Sequence, residues 1–117
     1  MSTASIAQRR ALVTGGSGDI GGAIAVALAQ AGWQVLVHAN AGIERAAQTV
    51  QHIRAAGGMA EAVCFDVTDA AATHTAIAAL LEAGTIAAVV NNAGIHDDAP
   101  MAGMSSSQWH RVIDVSL

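Results

Sequence analysis

A glycine-dense stretch near the amino terminus has the residue types and spacing of an anion-binding turn. Between an apolar run and an alanine-rich segment lies GSGDIG, which comprises Gly16, Ser17, Gly18, Asp19, Ile20 and Gly21. Glycines allow a tight turn and a close approach of the backbone to a ligand. A helix that starts there offers unpaired N–H groups and the positive end of its dipole. With a strand before it and a helix after it, G-x-G-x-x-G indicates a dinucleotide site, so we expect a diphosphate to bind here.

Polar residues also follow the third and fourth apolar runs of the chain. Asp66 comes after the third run, where a carboxylate could accept hydrogen bonds from an adenine amine or from loop backbone, or could cap a helix. Asn91 and Asn92 come after the fourth run. Their side chains could tie neighbouring loops together or contact a ligand directly, and the small residues Ala93 and Gly94 leave room for a ribose.

These residues are positioned by apolar runs that alternate with helical patterns. We predict strands at residues 11–14, 34–38, 61–65 and 86–90, and helices at residues 19–31, 42–56 and 69–84. The first helix should place Ile20 on its buried stripe, and Asp69 should cap the third. A capping box predicts a last helix from Ser105 through Ile113. Continuous apolar strands separated by helices indicate an α/β fold, a Rossmann-type doubly wound parallel sheet in the order 3-2-1-4.

The carboxyl end of the sequence carries no structural stop signal. Leu117 falls within a helical pattern that has no glycine or other stop signal. In the order 3-2-1-4 the fourth strand would be an exposed apolar edge. We therefore expect residues 1–117 to be the first half of a larger domain, namely the amino-terminal part of a single dinucleotide-binding domain.

Composition excludes several classes of protein. The 117 residues are 53% hydrophobic and 12% charged, with a net charge of −4 and no lysine, which argues against disorder and against nucleic-acid binding. No segment resembles a signal peptide or is long enough to span a membrane. The single cysteine, Cys64, fits a reducing compartment and a small apolar role in a strand, so we expect a cytoplasmic protein.

Four motifs in order resemble those of the short-chain dehydrogenase/reductase family. Thr14-Gly15-x-x-x-Asp19-Ile20-Gly21 is similar to its T-G-x-x-x-G-x-G turn, and Asp66-Val67 to its adenine-contacting pair. Asn91 to Gly94 reproduces its N-N-A-G motif, and residues 109–117 (WHRVIDVSL) resemble its W-x-x-V-x-x-V-N-L segment. The subgroup with the greatest similarity is the bacterial 3-oxoacyl-acyl-carrier-protein reductases. The resemblance implies hydride transfer between a nicotinamide and a ketone or alcohol, with an acyl thioester as a candidate substrate, in a homo-oligomer.

The end of the second predicted strand bears on the choice of cofactor. An NAD site normally places an acidic residue there to hold the ribose 2′-hydroxyl. Here the strand ends in His38 and Asn40 follows, while Glu44 lies further on, in the helix. Asn40 or Ser17 could donate to a 2′-phosphate, and His38 could add charge when protonated. No arginine lies at the obvious positions, yet the missing carboxylate favours NADP(H) over NAD(H).

Two residues depart from the family pattern. Asp19 replaces the middle glycine of the turn, which adds a Cβ and like-charge repulsion towards a diphosphate, although Asp is favourable in a first helical turn. Neighbouring Gly18 could take over the permissive role. Ser116 stands where the family has its catalytic asparagine, so it could hydrogen-bond a water at shorter reach or bond back to its own helical turn.

The largest departure is the absence of the proton-donating pair. The family uses a tyrosine and a lysine four positions later, and these 117 residues contain neither. The chain alone therefore cannot perform the family reaction and would need a further segment to do so.

The alternative function is that of a non-catalytic dinucleotide-binding module, which would act as a sensor or scaffold. A methyltransferase would leave the N-N-A-G motif unexplained, and His96-Asp97-Asp98 fits a solvated loop better than a metal site.

Overall fold

The computed structural model describes residues 9–92 and the backbone of residues 113–116. Strands and helices alternate through most of that range. In chain order they are β1 (Arg10–Thr14), α1 (Asp19–Gln30), β2 (Gln34–Ala39), α2 (Ile43–Ala55), β3 (Met59–Cys64), α3 (Ala70–Glu82), β4 (Ile86–Asn91) and β5 (Ile113–Ser116). The first seven elements confirm the predicted types, with boundaries that differ by at most two residues. Cys64 ends β3 but is exposed, so it does not fill an apolar position.

All the strands run parallel in one sheet with the order β3-β2-β1-β4-β5. The predicted order 3-2-1-4 is confirmed. Strand β1 lies between β2 and β4, with Val13 opposite Val37 on one side and Val90 on the other. Because parallel strands end at the same edge, this register brings the residues that follow β1, β2, β3 and β4 together at one edge of the sheet.

The fifth strand corrects the prediction for the carboxyl end. Ile113–Ser116 is extended and pairs with β4, so the helix predicted through Ile113 is wrong where the structure describes it. Apolar and polar residues alternate in this IDVS segment, and β-branched residues favour strands. The strand also pairs with the edge of β4 that we expected to be exposed. The start of the predicted helix at Ser105 lies outside the described residues.

Two apolar clusters cover the two faces of the sheet. On one face, α1 and α2 pack over Val13, Val35 and Val37. On the other, Ile77 of α3 packs with Leu12 and other buried residues. Helices on both faces make the arrangement doubly wound, as predicted. In the described part of the chain no helix is long and apolar enough to cross a membrane.

The start of α3 provides a direct test of a predicted cap. Oδ1 of Asp69 accepts a hydrogen bond from the backbone N–H of Ala72 at 3.0 Å, which confirms the capping role. We expect Asp69→Ala to lower the free energy of unfolding by about 1 kcal/mol, because that N–H loses its acceptor. Urea unfolding measures the loss. Glu82→Ala, at the exposed end of the same helix, is the control, and an equal effect in both variants would contradict the capping role.

Candidate functional site

A cleft of about 770 Å³ opens at the carboxyl edge of the sheet, where the chain leaves β1, β2 and β4. Its volume is within the range of roughly 300–1,000 Å³ typical of small-molecule sites. The lining residues are Gly15, Ser17, Gly18, Asp19, Ile20, Gly21, His38, Asn40, Ala41, Gly42, Arg45, Val67 and Asn92. Strands β2 and β4 lie on opposite sides of β1, so the cleft lies at the point where the strand order reverses, which is the usual ligand position in such folds.

The turn between β1 and α1 requires glycine at two positions, one for its backbone conformation and the other for close packing. Gly15 has a φ of 65°, a left-handed conformation that other residues rarely adopt. At Gly21, a Cβ would lie 2.2 Å from the carbonyl oxygen of Gly15 and 2.6 Å from Nδ2 of Asn92. The start of α1 can therefore lie against the turn and against the end of β4 only because residue 21 has no side chain.

The amino terminus of α1 opens into the cleft without a cap. Gly18 is the N-cap residue, and no side chain of the described residues makes a capping hydrogen bond there. The first N–H groups of a helix have no acceptor within it, so here they remain available to water or to an anion. Ile20 is 68% exposed beside these groups, which corrects its predicted place on the buried stripe. Gly21 and Ala25 face the sheet instead, because their small size permits close packing.

Gly18, which precedes the departure at Asp19, does not have the positive φ of a turn glycine. It has extended backbone angles, φ −85° and ψ 177°, and a Cβ on it would find no atom nearer than 3.5 Å. The backbone conformation of residue 18 therefore does not require glycine, and a permissive role of Gly18 towards a ligand stays a prediction. Asp19 is exposed in the first turn of α1 and lines the cleft, so its carboxylate lies near the uncapped N–H groups.

Thr14 lies behind the cleft and joins the ends of β1 and β4. Its side chain is buried, and its hydroxyl donates to the carbonyl of Val90 at 3.2 Å and accepts from the N–H of Asn92 at 2.9 Å. Nδ2 of Asn92 in turn lies 3.5 Å from the carbonyl oxygen of Gly15. The prediction that an asparagine here ties neighbouring loops together is confirmed for Asn92. Because the Thr14 hydroxyl makes both of these hydrogen bonds within the protein, it stabilises the turn and the end of β4.

His38 is a buried link between three segments. Its ring is 0% exposed, and Nδ1 accepts from the N–H of Gly15 at 3.0 Å. Nε2 therefore carries the proton and donates to the carbonyl of Phe65 at 2.7 Å. Burial lowers the pKa of His38 below its ordinary value, and the hydrogen bond with Phe65 opposes that effect only in part. The suggestion that His38 supplies positive charge to a phosphate is thus wrong, because burial favours the neutral ring and both nitrogens are engaged.

The loops after β2 and β3 are joined through one asparagine side chain. Oδ1 of Asn40 accepts from the N–H of Val67 at 2.8 Å, and its Nδ2 donates to Oδ1 of Asp66 at 3.3 Å. The same Asp66 oxygen accepts from the hydroxyl of Thr68 at 2.6 Å and from its N–H at 2.9 Å. The Thr68 hydroxyl, followed by its N–H, lowers the pKa of Asp66, so this exposed carboxylate is ionised at neutral pH. Asp66 thus accepts a hydrogen bond from the loop backbone, which was one of the alternatives predicted for it. The helix cap is Asp69 instead.

The comparisons with known proteins agree with this geometry. A family model described as short chain dehydrogenase matches residues 9–117. The chain belongs to this family. It is 36% identical over 114 residues to the short-chain dehydrogenase/reductase FrzI of a Cladobotryum species, covering 97% of this chain and 44% of that protein. It is 37% identical over 107 residues to the 3-oxoacyl-[acyl-carrier-protein] reductase FabG of Aggregatibacter actinomycetemcomitans, covering 91% of this chain and 44% of that one.

A solved structure extends the likeness to three dimensions. The crystal structure of a metagenomic short-chain oxidoreductase in complex with NADP superposes with a TM-score of 0.71 at 31% identity, covering 89% of this chain and 48% of that chain. The chain spans less than half the length of the curated relatives named above.

One residue that lines the cleft was not predicted from the sequence. Arg45 lies in the first turn of α2 and lines the cleft together with Asn40, although no arginine occupies the end of β2 itself. The sequence signal for Arg45 was its spacing. It follows Asn40 by five positions, at the start of the helix after β2, and the first turn of that helix lies at the same edge of the sheet as the end of β2. The arginine is exposed, so its guanidinium can reach a ligand.

The remaining predicted site residues are described only in part. The backbone of Ser116 ends β5 opposite Asn91, which itself lies opposite Thr14. Ser116 therefore belongs to the edge of the sheet that carries the cleft, two strands away from β1. Its backbone lies in a strand, which corrects its predicted place in a helix. Ala93, Gly94 and the loop at His96 lie outside the described residues.

Proposed function

We propose that the cleft binds NADP(H) and that this chain is the cofactor-binding part of a reductase. The reductase would transfer hydride between the nicotinamide and a ketone or alcohol, with a 3-oxoacyl thioester as the substrate class. The observation that carries the proposal is the uncapped amino terminus of α1, held against the Gly15 turn by Gly21 and open to the cleft. Such a terminus suits a diphosphate.

The other parts of a dinucleotide also find suitable groups around the cleft. The N–H groups of the first turn of α1, with the hydroxyl of Ser17, would hold the diphosphate. The ionised carboxylate of Asp66 and the N–H of Val67 would read the adenine, as the family resemblance implies. Asn92, with Ala93 and Gly94 beyond it, would border a ribose. The likeness to a relative solved with NADP supports this assignment.

The charges around the cleft favour NADP(H) over NAD(H). Among the described residues that line it, Asp19 is the single carboxylate, and it lies at the start of α1 rather than at the end of β2. Asn40, which directly follows β2, and Arg45, in the first turn of α2, both line the cleft. A guanidinium pairs well with a phosphate, and the cleft lining has no carboxylate of its own at the end of β2, where Asp66 reaches only as a hydrogen-bond partner of Asn40.

These 117 residues account for binding rather than for the whole reaction. Bound NADPH would supply the hydride, but the tyrosine and lysine that give a ketone oxygen its proton in the family mechanism are absent from these residues. That absence also favours a second candidate function, a non-catalytic dinucleotide-binding module. The reductase and the binding module differ in whether bound NADPH is oxidised by a substrate. Oxidation of NADPH by a 3-oxoacyl thioester, catalysed by the natural polypeptide, would support the reductase, and binding without oxidation would support the module.

Cofactor choice can be tested by titration of the chain with NADPH and NADH in a calorimeter. We expect NADPH to bind more tightly, and Arg45→Ala to weaken NADPH by about tenfold while leaving NADH unchanged, because only NADPH carries the 2′-phosphate. Arg9→Ala removes an equal charge at the amino end of β1, far from the cleft, and should change neither affinity. Equal or tighter binding of NADH by the unmodified chain would refute the preference.

A further inference from the structure

One side chain makes hydrogen bonds with both groups that the proposed function assigns to adenine. The carboxamide of Asn40 accepts from the N–H of Val67 at 2.8 Å and donates to Oδ1 of Asp66 at 3.3 Å. Asn40 is 26 and 27 residues away from these partners in the chain, so the contact is a product of the fold. Asn40 and Val67 both line the cleft.

The pattern of donor and acceptor explains why a carboxamide fits here. Asp66 offers an acceptor, and Val67 beside it offers a main-chain donor. A carboxamide presents a donor NH₂ beside an acceptor oxygen, and adenine presents its 6-amino donor beside the acceptor N1. Hypoxanthine presents the reverse, with an acceptor O6 beside the donor N1–H. A site that suits the side chain of Asn40 therefore suits adenine and does not suit hypoxanthine.

We propose that Asn40 is an internal competitor for the adenine ring. Its carboxamide and the ring would use the same acceptor on Asp66 and the same N–H of Val67, so each excludes the other. Asn40 is exposed, and its side chain can turn away without disturbing the core. This inference rests on the proposed function, because it takes Asp66 and Val67 as the groups that read the base.

The competition has a measurable consequence for nucleotide affinity. An adenine nucleotide has to replace the hydrogen bonds of Asn40 before it can make its own, which lowers its apparent affinity. Each such bond is modest in net free energy, so its removal should tighten adenine binding by about three- to tenfold. A hypoxanthine nucleotide cannot pair with Asp66 and Val67, so it would leave the carboxamide in place. Removal of Asn40 would therefore not change the affinity for that nucleotide.

The test is a calorimetric titration of the unmodified chain and of Asn40→Ala with ADP and with IDP. ADP carries the adenine and the diphosphate but no 2′-phosphate, so any contact of Asn40 with that phosphate does not enter the result. We expect Asn40→Ala to bind ADP about three- to tenfold more tightly and IDP with unchanged affinity. The control is Thr68→Ala, which removes a different donor from the same Asp66 oxygen, leaves the carboxamide of Asn40, and should not tighten ADP.

A second measurement on the unmodified chain guards against a variant that folds poorly. The side-chain amide signals of Asn40 in a ¹⁵N NMR spectrum should shift on saturation with ADP and should stay in place with IDP. If ADP binds but Asn40→Ala binds it no more tightly, or if those signals do not move with ADP, the competition is refuted and the proposed function still stands. If neither ADP nor NADPH binds to either chain, the proposed function fails and this inference fails with it.

Discussion

Replacing Gly21 by alanine is expected to lower the free energy of unfolding by about 3 kcal/mol, because the added methyl group has no space. Its Cβ would lie 2.2 Å from the carbonyl oxygen of Gly15 and 2.6 Å from Nδ2 of Asn92, distances that real Cβ atoms do not show. The Gly15 oxygen is main chain and cannot turn aside. Relief therefore requires α1 to move away from the turn, which would also weaken ADP binding at the start of the helix.

The neighbouring glycine provides a matched control for this experiment. At Gly22, one residue further along α1, a Cβ would meet the carbonyl oxygen of Gly16 at 3.5 Å and Oγ1 of Thr49 at 3.8 Å, which are ordinary contacts. Gly22→Ala should therefore stabilise the chain by about 0.5–1 kcal/mol, the usual gain from alanine in a helix. Urea unfolding of both variants decides the matter. Equal stabilities for the two would show that Gly21 does not set the position of α1.

Replacing His38 by leucine is expected to cost about 3 kcal/mol of unfolding free energy. The leucine would fill the buried space, but it would leave the N–H of Gly15 and the carbonyl of Phe65 without their partner. An unsatisfied buried polar group costs roughly 1–3 kcal/mol, and two are created here. His74→Leu, on the exposed side of α3, should change stability by about 0.5 kcal/mol or less. A His38 variant as stable as that control would contradict the linking role.

His38 also predicts how stability depends on pH. Burial holds its folded-state pKa below the ordinary value of 6.5, so the unfolded chain takes up this proton first as the pH falls. The contribution of the neutral ring to stability is therefore complete above pH 6.5 and is lost as the pH falls below that value. The slope approaches about 1.4 kcal/mol per pH unit at most. His38→Leu should lack this part of the dependence, which urea unfolding between about pH 5 and 7 would measure. If the unfolding free energies of the unmodified chain and of His38→Leu changed with pH in parallel, this role of His38 would be refuted.

The order of the elements was predictable because buried parallel strands and their helices have distinct sequence patterns. Apolar runs such as residues 86–90 have helices on both faces, so they contain few polar residues, and glycines mark the helix ends. The segment at Ile113 was not predictable in the same way. Its residues fit a helical spacing and a strand alternation equally, and its pairing with β4 decides for the strand.

The residues of the site were predictable by type and position, but not by role. The sequence alone establishes a strand, a glycine turn and a helix terminus suited to a diphosphate, because those properties reside in neighbouring residues. Only the tertiary structure decides that His38 is a neutral link, that Asn40 bridges to Asp66 and Val67, and that Arg45 faces the cleft. These roles depend on β2 lying between β1 and β3, which brings together groups more than 20 residues apart. Local patterns do not encode such contacts, since they arise from the packing of whole elements.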